Sequence, residues 1–296
     1  MNSTTKPRKY LFWSYLAPGV LLYVFVVFVP VAGALYYSTF NWSGGPKKSF
    51  IGIENYITMA RDMTFWRSFS NNLILTGVCI VGQIGFAFIL AALLSSKRVR
   101  LKNFHRVVSY FPVTLSAVVI GFIWSMMYDY NYGLINYALK AIGLDRLAQP
   151  WLSNEKAAIF LVAIPLVWQY VGYYLVIIMS GLASIDSGIF EMAEIDGVNA
   201  WQKAVYITLP MIRNTMLVCL TLCISGNMKA FDHIYVMTGG GPGTATTVMS
   251  LYAYNNSFIR YKMGYGSALS IGILVLSLAV TLIIRRVASG KGEKDT

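Results

Sequence analysis

The chain has 296 residues, of which 56% are hydrophobic and 12% are charged. Soluble domains carry about 25% charged residues, so this composition excludes an ordinary water-soluble enzyme and favours an α-helical membrane protein. The 24 lysines and arginines against 12 acidic residues give a formal net charge of +12. In a membrane protein such an excess sets the topology, and it does not indicate nucleic acid binding. The three cysteines are too few for a disulfide scaffold.

Six long intervals without charged residues predict six membrane-spanning helices, because about 20 apolar helical residues cross the hydrocarbon core. The charge-free interval 233–259 is excluded, since its run of glycines at 239–243 and its polar remainder would leave backbone groups unsatisfied in lipid. The sequence thus predicts an all-α, polytopic membrane protein with a single domain over residues 1–296. Its spans are expected at 11–38, 70–94, 107–127, 157–180, 211–229 and 264–285.

The basic residues predict that both termini are cytoplasmic. The short loop 97–106 has five basic residues and no acidic residue, and short loops dominate the positive-inside rule. This orientation places loop 186–209 in the cytoplasm and loops 41–67 and 230–262 outside. The N-terminus has no signal-peptide pattern, so we expect the first span to be a permanent helix. Basic residues expected inside include Lys6, Arg8, Lys97, Arg98, Lys291 and Lys294.

The cytoplasmic loop 186–209 reads as two short helices around a glycine. Ser187 is expected to cap the first helix, and Gly197 interrupts the helical pattern. A second amphipathic stretch follows, and Pro210 marks the entry into the fifth span. A short amphipathic element that carries exposed acids such as Glu191 is suited to docking in a partner's groove.

The stretch EMAEIDGVNAWQKAVYITLP, residues 191–210, resembles the EAA loop of binding-protein-dependent ABC importer permeases, with consensus E-A-A-x-x-D-G-A and then I-x-L-P. Met192 departs from the consensus at its second position. In that family the loop forms coupling helices that sit in a cleft on the ATP-binding subunit. The resemblance therefore implies that Glu191, Ala193, Asp196 and Gly197 couple this chain to an ATPase, and loop 186–209 is named the coupling loop for this reason. The matching residues are Glu191, Ala193, Asp196, Gly197, Ile207, Leu209 and Pro210.

Three further stretches resemble the carbohydrate permeases of the maltose and glycerol-3-phosphate branch, specifically the first of their two permease subunits. They are FIGIENY at 50–56, the region from Phe111-Pro112 to YGLIN at 132–136, and FDHIYVMTGGGP at 231–242. The resemblance implies a type I ABC importer permease fold with six transmembrane helices. It also implies a location in the bacterial cytoplasmic membrane.

The function that this resemblance implies is that of one permease subunit in an ATP-driven, binding-protein-dependent sugar importer, with an oligosaccharide as the favoured cargo. The expected partners are a second homologous permease that forms the other half of the pathway, two copies of an ABC ATPase and an extracytoplasmic sugar-binding lipoprotein. ATP and Mg are expected to be used by the partner ATPase, and this chain is expected to bind no cofactor, metal or nucleic acid.

A sugar site needs aromatic faces and hydroxyl-bonding amides at membrane depth. The fourth span supplies WQYVGYY at 168–174, where Gln169 and Tyr173 share one helix face, and the fifth span supplies Asn227. The resemblance implies that Gln169, Tyr170, Tyr173 and Asn227 lie in or beside the sugar site. The same residue types also serve as interhelical hydrogen-bonding groups, which leaves a structural role open for each. Weaker candidates are Gln83, Asn72 and Trp124.

Other functions lack their expected sequence features. No GxxxxGK[ST] motif occurs, so the chain cannot bind ATP through a phosphate loop and the energy must enter through another subunit. His105 and His233 are predicted on opposite sides of the membrane, which removes a catalytic triad and a shared metal site, and we expect no enzyme. The alternative is an ion-coupled secondary transporter of a small polar solute, but such carriers place acids within the membrane and these spans have none.

Overall fold

The computed structural model describes residues 9–95 and 99–289, which are mostly helical. They divide between two compact units, Met1–Asp62 with Ala253–Gly272, and Met63–Tyr252 with Ile273–Thr296. The single domain over residues 1–296 stays a prediction. The basic residues behind the orientation prediction that lie outside the described residues are Lys6, Arg8, Lys97, Arg98, Lys291 and Lys294.

The first unit contains the first span, a hairpin and a short helix. The segment Phe12–Tyr37 is long and apolar enough to cross a membrane, and none of its most apolar window is buried inside the chain. The two strands pair antiparallel, with Asn41 opposite Ser49. In chain order its elements are the helix Lys9–Tyr23, the π-helix Val24–Phe28, the helix Val29–Tyr37, the strands Phe40–Trp42 and Lys48–Phe50, the helix Glu54–Arg61 and the π-helix Asn255–Ile259.

The FIGIENY stretch of the first unit contains a structural asparagine, Asn55. The Asn55 side chain is buried, and its Nδ2 donates to the backbone oxygens of Ser38 at 2.8 Å and Phe40 at 3.0 Å. The Ser38 hydroxyl in turn hydrogen-bonds the Tyr56 hydroxyl at 2.7 Å. These contacts satisfy the Ser38 carbonyl, which the end of the first span leaves without a helical partner, and one carbonyl of the first strand. The Asn-Tyr pair of this stretch therefore anchors the short helix Glu54–Arg61 to the end of the first span.

The second unit holds most of the remaining helices. Three long helices within the described residues, Met63–Ser95, Ala158–Ala183 and Met263–Ala288, are each apolar enough to cross a membrane as the second, fourth and sixth spans, although the last runs through both units. The α-helices of the second unit include Met63–Cys79, Phe86–Ser95, Lys102–Tyr110, Ala117–Met127, Leu134–Ala141, Ala158–Ala183, Ser187–Ile195, Ala200–Gln202, Leu209–Met211, Arg213–Asn227 and Asp232–Met237. The unit also contains the π-helices Ile80–Gly85 and Lys203–Thr208 and the 3-10 turns Phe111–Thr114, Asp145–Leu147 and Trp151–Ser153. The helices Met249–Tyr254 and Met263–Ser289 cross the boundary between the two units.

The regions predicted as the third and fifth spans, 107–127 and 211–229, each contain a pair of helices that meet at a sharp bend. Lys102–Thr114 meets Ala117–Met127 at 95°, and Lys203–Met211 meets Arg213–Asn227 at 78°. The first break follows from extended backbone at Leu115, where ψ is 148°. Hydropathy reports apolar length and carries no information about such a turn. The described residues thus hold four continuous candidate spans, and six if each bent pair is one span, which is consistent with the predicted six.

The fourth span, Ala158–Ala183, is the centre of the second unit. Pro165 has no N–H, so the Leu161 carbonyl loses its helical partner, and the Tyr128 hydroxyl donates to that oxygen at 3.2 Å. Farther along, a Cβ on Gly172 would collide with the Ser109 carbonyl oxygen. A residue without a side chain is required there because the backbone of the third span lies directly against the fourth span, a packing that small residues permit in membranes.

The YGLIN stretch of the second unit contains a structural asparagine, Asn136. This fully buried amide donates to the backbone oxygens of Tyr130 and Gln149, each at 3.1 Å. Its Oδ1 accepts from the Gln149 N–H at 3.3 Å and from the Trp151 indole at 2.8 Å. One side chain therefore holds together the long connection between the third and fourth spans.

Candidate transport pathway and coupling loop

The coupling loop begins with the helix Ser187–Ile195, which Asp186 caps. The Asp186 carboxylate accepts the Gly188 N–H at 2.9 Å, the bond that an N-cap residue makes to the second helical position. Ser187 is therefore the first helical residue, and the prediction that it caps the helix is wrong by one position. Aspartate and serine are about equally favoured at the N-cap, so sequence alone does not show which of two adjacent residues caps the helix.

Gly197 ends this helix in a left-handed conformation, with φ +71°. The Val198 N–H reaches the Ala193 carbonyl at 3.1 Å, and the Asp196 N–H reaches the Met192 carbonyl at 3.0 Å. The bond from residue 198 back to residue 193 is the Schellman motif, which places glycine at this position because a Cβ is unfavourable there. The Asp-Gly of the EAA stretch thus has a definite backbone role.

The second helix of the coupling loop starts with a reciprocal capping box. The Asn199 side chain accepts the Gln202 N–H at 2.9 Å, and the Gln202 side chain accepts the Asn199 N–H at 3.0 Å. Both donors belong to a helix start that would otherwise leave them unsatisfied. The Lys203 ammonium lies 4.8 Å from the centre of the Phe190 ring, a cation–π contact that joins the two helices.

The exposed surface of the coupling loop is apolar as well as acidic. Ile195, Trp201 and Tyr206 are 84%, 75% and 74% exposed. Of the predicted coupling residues, Ala193 is buried, whereas Glu191 and Asp196 are exposed. Exposed large apolar side chains on a rigid helical element are typical of a protein contact surface. The predicted coupling residues therefore divide into one packing residue, one turn residue and two exposed acids.

Two of the predicted sugar-site residues are buried amides that bond to neighbouring backbone. Gln169 is 2% exposed, and its Nε2 donates to the Leu115 carbonyl at 3.0 Å, where the third span breaks. Its Oε1 has no hydrogen-bond partner among the residues that the structure describes. Asn227 is 5% exposed and donates to the Cys223 carbonyl at 2.9 Å. The Gln169 amide therefore bonds to a neighbouring span, and the Asn227 amide bonds within its own helix. The Gln169 Oε1 remains available as a hydrogen-bond acceptor.

The other two predicted sugar-site residues, Tyr170 and Tyr173, are half-buried on the fourth span. The Tyr173 ring makes an edge contact with Tyr174, with centroids 5.2 Å apart. Tyr170 lies within electrostatic reach of Asp232, which follows the fifth span. These two tyrosines keep surface that a ligand can contact, and an aromatic ring with a hydroxyl is suited to a sugar.

Gln83, a weaker sugar candidate, joins three spans. Its Nε2 donates to the Leu166 carbonyl of the fourth span at 3.1 Å, and its Oε1 accepts from the Cys223 thiol of the fifth span at 3.3 Å. It lies within the π-helix Ile80–Gly85 of the second span. With both ends of its amide occupied and 1% exposure, Gln83 is a structural residue in this chain. Trp124, another weak candidate, contacts the Trp168 ring.

His233, just beyond the fifth span, is a buried histidine. Burial lowers its pKa to about 4, although the neighbouring Asp232 acts in the opposite direction. Its Nε2 finds no hydrogen-bond partner within the described part of the chain. The imidazole is therefore neutral at physiological pH.

Taken together, these features define a multi-pass α-helical membrane protein with polar groups at membrane depth and an ordered loop that presents an apolar and acidic surface. The model of the binding-protein-dependent transport system inner membrane component family matches residues 83–291. The chain belongs to that family.

The similarity extends over the full length of individual relatives. The probable ABC transporter permease protein YurN of Bacillus subtilis (strain 168) is 33% identical over 289 residues, which are 97% of this chain and 99% of the relative. The trehalose/maltose transport system permease protein MalF of Thermococcus litoralis is 32% identical and covers 99% of each chain. A solved bacterial alginate ABC transporter, in complex with an alginate pentasaccharide-bound periplasmic protein, superimposes with a TM-score of 0.81 at 22% identity over 97% of this chain and 95% of that chain.

These findings confirm the predicted all-α permease fold and the multi-pass membrane location. They also confirm that the chain is the membrane component of a binding-protein-dependent transporter and not an enzyme. The sequence missed the function of an amide pair in the second span, Asn71 and Asn72, although two adjacent asparagines inside an apolar segment are a visible signal.

Proposed function

We propose that this chain is a permease subunit of an ATP-driven sugar importer, in which it forms half of the translocation pathway. Its near full-length similarity to a trehalose/maltose permease supports a sugar as the cargo. Half-buried tyrosines beside an orphan amide acceptor on the fourth span are groups that suit an uncharged, hydroxyl-rich solute. A chain of several sugar units fits this arrangement because it offers many hydroxyls.

The observation that carries the proposal is the coupling loop, because its two helices are capped, joined and exposed as a docking element requires. Its Schellman turn and its capping box fix the two helices relative to the turn at Gly197. The exposed Trp201 and Ile195 provide apolar contact area, and the acids Glu191 and Asp196 provide charge for a basic partner. A rigid element of this kind transmits a displacement of the ATPase to the fifth span, which follows it directly in the chain.

The partners follow from this arrangement. Two copies of an ABC ATPase bind and hydrolyse ATP with Mg, one of them against the coupling loop, and this chain binds no cofactor itself. A second homologous permease completes the pathway, and the first span offers it an apolar surface whose most apolar window has no buried residue within this chain. An extracytoplasmic sugar-binding lipoprotein delivers the cargo to the outer loops. Both termini and the coupling loop are cytoplasmic, in keeping with the positive-inside rule.

Within the pathway, Gln169, Tyr170, Tyr173 and Asn227 contact the sugar. The orphan Oε1 of Gln169 accepts a sugar hydroxyl, and the faces of the two tyrosines stack on the sugar rings. Asn227, whose donor is engaged by Cys223, contributes its acceptor.

Affinity purification of the detergent-solubilised chain from its native host tests the proposal, with every co-purifying subunit identified. Recovery of a second permease, an ABC ATPase and a sugar-binding lipoprotein supports it, and the ligand of that lipoprotein then identifies the cargo. Recovery of the chain alone, active in liposomes on an ion gradient without ATP, would instead support the secondary transporter.

A further inference from the structure

Two adjacent asparagines of the second span, Asn71 and Asn72, have a connecting role that the proposed sugar site does not use. Asn71 is 7% exposed and Asn72 is fully buried. Buried amides in an apolar helix are costly unless every donor and acceptor is paired. The hydrogen-bond partners of Asn71 and Asn72 therefore indicate which parts of the chain these two side chains connect.

Asn72 caps the ends of two different helices. Its Nδ2 donates to the Asn227 carbonyl at 3.0 Å and to the Met228 carbonyl at 3.4 Å, where the helix Arg213–Asn227 ends. Its Oδ1 accepts the Met249 N–H at 2.8 Å, where the helix Met249–Tyr254 begins. Helix ends leave carbonyls and N–H groups of just these kinds unsatisfied. A side-chain amide can serve both ends at once because it is both a donor and an acceptor.

Asn71 holds the glycine loop, defined here as residues 238–249. Its Nδ2 donates to the Thr244 carbonyl at 3.0 Å and to the Thr247 carbonyl at 2.8 Å. Because the two asparagines are consecutive on the second span, they engage this loop and the end of the fifth span from the same helix turn. The contacts join positions more than 150 residues apart in the chain.

The glycine loop is itself internally bonded, so it can move as one piece. The Thr246 hydroxyl lies 2.7 Å from the Thr238 hydroxyl and 2.8 Å from the Gly241 carbonyl. The Thr247 hydroxyl donates to the Gly240 carbonyl at 3.0 Å. A loop that satisfies its own polar groups has little freedom to rearrange away from water.

We propose that Asn71 and Asn72 are positioning residues that fasten the glycine loop and the end of the fifth span to the second span, so that these segments move together during transport. This inference rests on the proposed function, because Asn227 is one of the predicted sugar contacts and its carbonyl is an Asn72 partner. The pair thereby sets where Asn227 stands in the pathway without touching the sugar itself.

The test compares Asn72→Ala with the control Thr76→Val in the complete transporter. Thr76 is also buried, one turn further along the same helix, and its hydroxyl has no hydrogen-bond partner among the described residues. The first measurement is hydrogen exchange of the peptide that covers the glycine loop. The second is ATP hydrolysis with and without the sugar-loaded binding protein.

For Asn72→Ala we expect exchange of the Met249 N–H, its partner at the end of the glycine loop, to become about tenfold faster, since the lost hydrogen bond is a modest net contribution. We expect stimulated hydrolysis to fall about tenfold while basal hydrolysis stays within about twofold, a split that general destabilisation would not produce. Thr76→Val should leave both quantities as in the wild type. If Asn72→Ala does not fold, Asn71→Ala provides the same comparison with the loss confined to the loop contacts.

Unchanged loop exchange in the variant would overturn the proposal, as would an equal loss of basal and stimulated hydrolysis. A wild-type complex that shows no response to any sugar-loaded binding protein would contradict the proposed function instead. The exchange measurement would still decide whether the asparagine pair fastens the loop.

Discussion

Replacement of Gly197 by alanine tests the coupling loop most sharply, because only the backbone conformation is at stake. Gly197 has φ +71°, and a Cβ at this position would meet no atom within 4 Å. The expected cost is therefore that of holding an L-residue in the left-handed region, about 1–2 kcal/mol. That cost lowers the population of the docking conformation, and hence the affinity for the ATPase, by roughly 5–30-fold. Titration of the purified ATPase onto the permease in nanodiscs measures the change.

Two substitutions serve as controls for Gly197→Ala. Gly197→Asn should restore most of the affinity, because asparagine tolerates the left-handed conformation better than alanine does. Gly188→Ala lies in the same helix, where the added Cβ would make only an ordinary 3.5 Å contact with the Asp186 carboxylate, so it should be neutral. Equal affinity for the wild type, the alanine variant and the asparagine variant would refute the docking role of this turn.

Three further changes have defined outcomes. Asn199→Ala removes the capping box with Gln202, so we expect a loss of about 1 kcal/mol in the second coupling helix, read as weaker ATPase binding in the same titration. Tyr128→Phe leaves the carbonyl of the half-buried Leu161 without its partner, which should cost about 1 kcal/mol, seen as a lower melting temperature of the solubilised protein. Burial lowers the pKa of His233 from its ordinary value of 6.5 to about 4 in the folded protein. This group therefore leaves the stability of the folded state unchanged above pH 6.5 and lowers it as the pH falls from 6.5 towards 4. The wild type should lose about 1 kcal/mol more than His233→Leu between pH 7.5 and 5.5, and equal pH dependence of the two melting curves would contradict this.

The sequence predicts the membrane spans well where a long apolar run corresponds to one straight helix. The fourth span was expected at 157–180 and is the helix Ala158–Ala183. The second span begins at Met63, seven residues before the expected start at 70, because Arg67 ends the charge-free interval although the helix continues through it. The bends at Leu115 and Ile212 were missed, since they depend on backbone dihedrals that apolar composition does not encode.

Long-range polar contacts were the least predictable part of the candidate site. Asn72 looked like a weak sugar ligand, and its partners at 227, 228 and 249 become visible only once the chain is folded. The local features of the coupling loop were easier to predict, because the glycine turn depends on neighbouring residues alone. Even there the cap belongs to Asp186 and not to Ser187, as adjacent residues with equal capping ability cannot be ranked by sequence.

The central claim is that this chain imports sugar only when a separate ATPase drives it. Uptake of the sugar that the co-purifying binding protein carries, into proteoliposomes containing the complete complex, tests this directly. We predict accumulation that requires both ATP and the binding protein and that is lost with a non-hydrolysable ATP analogue. Uptake that continues without ATP, or that follows an imposed proton or sodium gradient, would contradict the account.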